Sequence, residues 1–226
     1  MAETVIFWDF DGTLVRSNQS FLSSLLRAFE AQELPMDRDV AQAFLQKSCS
    51  WYFPGNLFED RTGEAWWEDL LGKVRTFSAD HHVPEEKIPG ILTAFREHVI
   101  SYPYALYEDA VSTLRACREA GGKNFILSNN FPELRQIIVN LGLSPYLSDV
   151  FLSSELGAEK PNPLIFKKAL ALAGMPSAAF MVGDNPIADI KGARQAGLKT
   201  VLVHRDGQAD FVLPSLQQIP PCIFKD

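Results

Sequence analysis

The sequence predicts an α/β protein: a mainly parallel sheet whose strands alternate with helices, with an all-helical stretch inserted after the first strand. Three observations carry this. Short β-branched or aromatic runs recur along the chain, several ending at a polar residue. From Tyr107 onward these runs alternate with helical patterns, most of them closed by glycine and several opened by proline. Between about Arg16 and about Pro103 the apolar residues recur only at helical spacing. Strands alternating with helices imply crossover connections and hence a parallel sheet.

Taken in order, Thr4 to Trp8 reads as a short buried strand that stops at Asp9, with Asp11-Gly12 as a turn. Phe21, Leu22, Leu25, Leu26 and Phe29 mark a helix that ends before Pro35, and a second is expected over Asp37 to Lys47. The aromatic stretch Trp51 to Gly55 breaks the pattern and reads as a loop. Trp67, Leu70, Leu71, Val74 and Phe77 share one face of a third helix. Ile88, Ile91, Leu92 and Phe95 share one face of a fourth. After Tyr107 come a helix through Val111, Leu114 and Cys117, a strand over Asn124 to Leu127 ending at Ser128, and a helix opened by Pro132. A strand over Val150 to Leu152 follows, then a helix opened by Pro163. Ala179 to Val182 is a strand ending at Gly183-Asp184, and Pro186 opens a helix closed by Gly197. Thr200 to Val203 and Asp210 to Leu213 are the last strands, and Leu213 to Asp226 carries no clear pattern.

The bulk numbers bound the function. The 226 residues allow a core with a smaller inserted domain. A net charge of -7 is a poor match for nucleic acid, whose non-specific affinity comes from Lys and Arg. It leaves room for an anionic small substrate, because a metal and one lysine reverse the field locally. No run approaches the ~18 apolar residues of a membrane span. The first residues lack the basic start and apolar stretch of a signal peptide. Cys49, Cys117 and Cys222 are odd in number and widely spaced, which reads as reduced thiols in a cytoplasmic protein.

Ligands of open parallel sheets bind beyond the carboxyl ends of the strands. The residues to inspect are therefore Asp9 and Asp11, Ser128 and Asn129, Asp184, and Lys160 ahead of the Pro163 helix. Three carboxylates brought together repel one another unless a cation joins them. Oxygen-only ligands favour Mg²⁺. A Mg²⁺ ion and a lysine suit a dianionic phosphoryl group, whose transfer depends chiefly on positioning and charge stabilisation.

Four segments, in order, carry a resemblance: Phe7-Trp8-Asp9-Phe10-Asp11-Gly12-Thr13-Leu14, Leu127-Ser128-Asn129, Lys160-Pro161-Asn162-Pro163, and Gly183-Asp184-Asn185 continuing to Asp189. Together they resemble the four motifs of the haloacid dehalogenase superfamily, across essentially the whole chain. The resemblance implies a three-layer, Rossmann-like core over residues 1–15 and 104–226, and a helical cap domain over 16–103, as in the branch that includes phosphoglycolate phosphatase. It implies that Asp9 is the nucleophile and forms an aspartyl-phosphate, and that Asp11 is the acid and base. Ser128 and the backbone N–H of Asn129 would hold phosphoryl oxygens, and Lys160 would neutralise charge. Asp9, the Asp11 carbonyl and Asp184 would ligate Mg²⁺, and Asp189 would orient Lys160. The family's dehalogenases lack an acid at the Asp11 position and need no Mg²⁺, so Asp11 favours phosphoryl transfer. The activity implied is a phosphatase acting on a small phosphorylated metabolite. A phosphomutase of the β-phosphoglucomutase type shares these motifs, and a catalytically silent binding protein of the same fold would be expected to lose Asp9, Asp11 or Asp184. A monomer or weak homodimer is expected, with neither nucleic acid nor membrane as partner.

Each residue also has a plainer reading. Asp11 suits a simple turn, Ser128, Asn129 and Asp184 suit helix N-caps, and Lys160 suits solvent. Trp67, on an apolar stripe, is expected in the core of the insert, while the Trp51 to Gly55 loop is a candidate for substrate recognition. Arg16 either meets a negative group or faces solvent. His81 and His82 read as a solvated loop, and His98 as a partly buried residue of the fourth helix.

Overall fold

Val5, Ile6, Phe7 and Trp8 are β-branched or aromatic and point alternately to opposite faces of a strand, so a chain that buries all four must cover both faces. In the computed structural model, which describes residues 3–16, 19–49 and 57–224, all four are fully buried in β1 (Thr4–Trp8). β1 pairs in parallel with β2 (Lys123–Ser128) on one side, which pairs with β3 (Asp149–Leu152). On its other side lie β4 (Ala178–Gly183), β5 (Lys199–Val203) and β6 (Phe211–Leu213), again all parallel. The strand order is β3-β2-β1-β4-β5-β6. Chain order therefore runs outward in one direction from β1 and in the other from β4. That reversal opens a crevice beyond the carboxyl ends of β1 and β4.

Four helices follow β1 and form the insert: α1 (Ser20–Glu30), α2 (Arg38–Ser48), α3 (Glu64–Asp80) and α4 (Ile88–Ile100). Asp37 caps α2, its side chain accepting from the N–H groups of Asp39 and Val40 at 2.8 and 3.2 Å. Leu25, Phe29, Trp67, Val74, Ile91 and Phe95 fill the interior of this insert. Each contributes roughly 1.5–3 kcal/mol of burial. The chain leaves and re-enters the core side by side: Arg16 donates to the Ala105 carbonyl and Tyr107 to the Leu14 carbonyl, both at 2.9 Å.

The remaining helices sandwich the sheet. Ile6 and Trp8 share a buried cluster with α5 (Ala110–Glu119) and α6 (Leu134–Asn140). Cys117 sits in that cluster, fully buried. After the short α7 (Ser153–Leu156), Val5 and Phe7 meet α8 (Pro163–Leu172) and α9 (Gly192–Gln195) on the opposite face. The fold is thus three-layered, with helices on both faces of the sheet. The last stretch is more ordered than its pattern indicates. α10 (Ile219–Ile223) starts at two prolines whose missing N–H groups a first turn does not need, and Leu216 and Ile219 are fully buried.

Polar contacts between described residues fasten the insert to the core besides its connections. Phe58 and Gly63 donate backbone N–H groups to the carbonyls of Gly157 and Ser154 at 3.1 and 2.8 Å. Lys168 meets Glu59 at 2.9 Å. Glu133, just ahead of α6, accepts from Trp67 Nε1 at 2.8 Å and from Arg96 Nη2 at 2.9 Å. The Arg96 guanidinium also lies 5.1 Å from the Trp67 ring centre. No described helix is long and apolar enough to cross a membrane.

Candidate active site

Each strand that ends at the crevice delivers one polar group. β1 ends at Asp9, whose N–H donates to the Val182 carbonyl of β4 at 2.9 Å and so fixes where its side chain starts. β2 ends at Ser128, whose hydroxyl donates to Asp9 Oδ1 at 3.0 Å. Lys160 arrives from the segment before α8, and its Nζ lies 2.8 Å from Asp9 Oδ1 and 2.7 Å from Asp189 Oδ1. Asn129 holds the lysine backbone by both ends of its amide: Nδ2 donates to the Lys160 carbonyl at 2.9 Å and Oδ1 accepts from the Lys160 N–H at 2.8 Å.

Asp184 follows β4 across from Asp9. Gly12 makes this approach possible: a Cβ at Gly12 would stand 2.7 Å from the Asp184 carboxyl, and its φ of +77° is one that L side chains rarely adopt. Gly183 does the same for Asp189, whose carboxylate occupies the space where a Cβ would stand, 2.1 Å from Oδ2. The helix expected from Pro186 instead begins as a wide π-helical turn, Pro186–Lys191, before α9. There the Asn185 carbonyl accepts from both Asp189 and Ile190, while the Asn185 N–H donates back to Asp189 Oδ2 at 3.0 Å. The wide turn tucks the Asp189 carboxylate under β4, where Lys160 meets it. Such turns recur at functional sites.

Asp9, Asp11, Ser128, Asn129, Lys160 and Asp184 line one cleft of about 460 Å³. Asp189 lies fully buried behind it. Asp9, Asp184 and Asp189 bring carboxylate oxygens within 4.8 Å of one another, a grouping able to hold a metal ion. Asp189 is the least available of the three, because Lys160 and the Asn185 N–H already occupy its two oxygens. Asp11 stands apart from that group, its Oδ2 accepting from Asn130 Nδ2 at 2.7 Å.

The electrostatics are those of a site short of positive charge. Burial, reinforced by repulsion from Asp9, pushes the Asp11 carboxyl up to about 7 and that of Asp184 up to about 6. Burial alone would lower Lys160, but the flanking Asp189 and Asp9 carboxylates outweigh it and hold the ammonium charged. The donor set is all oxygen and the charge deficit is local, which fits a hard divalent cation such as Mg²⁺.

Several plainer readings fail here. Ser128 and Asn129 cap no helix; α6 begins at Leu134 with Glu133 at its cap position. Lys160 is buried, not solvated. Asn185, rather than Asp184, caps the next turn, accepting from the N–H groups of Ile187 and Ala188. Arg16 is exposed, 3.7 Å from Glu108 and stacked on Tyr107, and does not line the cleft. Trp67 is fully buried within the insert and Trp66 nearly so. His81 and His82 are exposed at the end of α3 and His98 is half-buried on α4. The stretch Trp51 to Gly55 lies outside the described residues. Sequence reasoning missed Asn130, two residues past Ser128. It also missed Gln19 and Gln42, which reach the cleft from the insert, and Arg205, which donates to the Asp184 carbonyl at 3.0 Å. The position of Asn130 beside a strand end was a usable signal. No local pattern marked the others.

Comparison with known proteins agrees with this geometry. Residues 3–197 match the haloacid dehalogenase-like hydrolase family profile. The mouse haloacid dehalogenase-like hydrolase domain-containing protein 3 is 28% identical over 235 residues, covering 97% of this chain and 93% of its own. A glyceraldehyde 3-phosphate phosphatase of Methanopyrus kandleri is 34% identical over 146 residues, 63% of this chain and 60% of that one. Among solved structures, the Bacillus subtilis HAD-hydrolase YfnB superposes with a TM-score of 0.74 at 20% identity, covering 100% of this chain and 99% of that one. The L-2-haloacid dehalogenase of Xanthobacter autotrophicus gives 0.69 at 22%, covering 100% and 99%. One fold thus serves both hydrolytic chemistries, and the residues at the cleft must decide between them.

Proposed function

The chain belongs to the haloacid dehalogenase-like hydrolase family, and from that premise we propose that it is a Mg²⁺-dependent phosphatase acting on a small phosphorylated metabolite through a covalent intermediate on Asp9. The observation that carries this reading is the separation of Asp11 from the other carboxylates. Its side chain is held by Asn130 and stays outside the group formed by Asp9, Asp184 and Asp189. In that place it can carry a proton while its neighbours handle charge. A cleaved phosphate ester needs a proton for its leaving alkoxide, and a raised carboxyl supplies one near neutral pH.

In this reading Asp9 attacks phosphorus, the ester oxygen departs with the Asp11 proton, and Asp11 then takes a proton from the water that hydrolyses the aspartyl-phosphate. Splitting the displacement replaces one hard step with two easier ones. Asp9 and Asp184, with the Asp11 carbonyl, would hold the cation, which supplies charge stabilisation to the phosphoryl oxygens when bound. Ser128 and the Asn129 N–H would orient those oxygens. Lys160 balances Asp9 and the phosphoryl group, and Asp189 positions Lys160 from behind. Residues 16–103 serve as a cap over the cleft, excluding bulk water and carrying specificity. We read the enzyme as cytoplasmic and as a monomer or weak dimer, with neither nucleic acid nor membrane as partner. Phosphate release from p-nitrophenyl phosphate, with Mg²⁺ and with excess EDTA, tests the proposal. Turnover that survives EDTA, or an Asp9→Asn variant as active as the parent, overturns it.

A further inference from the structure

The cleft is roomier than a phosphoryl group requires, and its outer wall comes from the insert. Gln19, Ser20, Phe21 and Leu22 enter it at the start of α1, and Gln42 and Leu45 from α2. These groups are amide, hydroxyl and hydrocarbon. Among the described residues lining the cleft, Lys160 is the one cationic side chain, and Asp9 and Asp189 already hold it at 2.8 and 2.7 Å. Asp9, Asp11 and Asp184 face the same space. The stretches of the insert outside the described residues, 17–18 and 50–56, contain no charged residue in their sequence. Arg38 comes near through Gln19, whose side-chain carbonyl it engages. That contact turns the Gln19 NH₂ away from the guanidinium.

We infer that the leaving group is uncharged and rich in hydroxyls, a sugar or polyol, and that Gln19 and Gln42 are the residues that select it; the inference rests on the phosphatase reading. An amide both donates and accepts, and so does a hydroxyl, so Gln42 can pair with a hydroxyl in either sense and Gln19 can donate its NH₂ to another. Phe21, Leu22 and Leu45 offer apolar faces for its C–H groups. A carboxylate on the leaving group would find no counter-ion of its own among the described residues that the insert brings to the cleft. A charge left unpaired in a cleft counts against the ligand that carries it. A site that hydrogen-bonds hydroxyls also rejects analogues that lack them.

The test uses the full chain with Mg²⁺ and substrate pairs differing only by oxidation of CH₂OH to carboxylate. Glycerol 3-phosphate is paired with 3-phosphoglycerate, and glucitol 6-phosphate with 6-phosphogluconate, with p-nitrophenyl phosphate as reference. The neutral member of each pair is expected to have the higher kcat/KM by about tenfold or more. Gln42→Lys is expected to shift that ratio about tenfold toward the carboxylate. Because the readout is a ratio within one preparation, partial loss of folded protein does not affect it. Turnover of p-nitrophenyl phosphate with equal or better turnover of the carboxylates overturns this inference alone. So does a ratio that Gln42→Lys leaves unmoved. Failure on every substrate, p-nitrophenyl phosphate included, overturns the phosphatase reading along with it.

Discussion

Trp67 donates its indole N–H to Glu133 at 2.8 Å, joining the middle of the insert to the entrance of α6. The same carboxylate accepts from Arg96 at 2.9 Å, so one core side chain holds two helices of the insert. Glu133→Ala leaves the indole N–H without its acceptor and removes one of the two carboxylates around Arg96. The expected cost is about 1–2 kcal/mol in urea unfolding. Trp67→Phe, which keeps an aromatic ring and the carboxylate–Arg96 pair, is expected to cost less. A larger loss in Trp67→Phe would show that packing, not this hydrogen bond, fastens the two parts.

Lys160 is buried between Asp9 and Asp189. Lys160→Met places an apolar chain of similar length there and leaves two carboxylates facing each other without a cation. Stability is expected to fall by about 3–5 kcal/mol, as when one partner of a buried pair is removed. Steady-state kcat should fall by about 10²-fold or more, the scale for losing a preorganised charge partner. Added Mg²⁺ should recover part of the stability and little of the rate.

The metal-free protein should lose stability as pH rises. Asp11 and Asp184 bind protons more tightly folded, at about 7 and about 6, than at their ordinary value of 3.8. Between these limits the folded state holds more protons than the unfolded one, so unfolding becomes easier as pH climbs from about 4 to about 7. Mg²⁺ competes with those protons, and its stabilisation should be larger at pH 8 than at pH 5. Thermal unfolding with and without Mg²⁺ at the two pH values measures both effects. A Mg²⁺-induced rise in Tm that is greater at pH 5 would refute the assignment.

Gly12→Ala places a methyl 2.7 Å from the Asp184 carboxyl on backbone at φ +77°. The backbone strain alone is of order 1 kcal/mol. The larger effect falls on Asp184, which must move away from Asp9. The Mg²⁺ concentration for half-maximal activity is expected to rise about tenfold or more, the scale for disturbing a metal site's supporting contacts. An unchanged Mg²⁺ requirement would separate Asp184 from the metal.

The strand ends at the cleft were legible in the sequence because those apolar runs stop at a group that has chemistry to offer, as at Trp8-Asp9 and Gly183-Asp184. Helix periods located the insert for the same local reason: Trp67, Leu70 and Val74 share a face whether or not the partner is known. What stayed hidden depends on contacts between distant residues. Glu133 looks like any polar residue after a proline, and its two donors lie 66 and 37 residues away. Gln19 and Gln42 are unremarkable until α1 and α2 bring both to one cleft. The wide turn over Pro186–Lys191 was read as ordinary helix, since proline and glycine punctuate both alike. Within it Asp189 turns in toward Lys160, 29 residues earlier.

The placement of α1 to α5 between β1 and its neighbours sets an order of events during synthesis. β1 pairs with β2, which begins at Lys123, and with β4, which begins at Ala178. A nascent chain therefore carries four apolar residues, Val5 to Trp8, with no sheet partner until Lys123 and the rest of β2 have left the ribosome. The insert, whose helices pack on one another, can collapse first and keep that segment company. Arrested chains long enough to bring residue 105 out of the ribosomal tunnel should already resist protease across α1 to α4 while Val5 to Trp8 remains cleavable. Protection of both regions at that length would reverse the order.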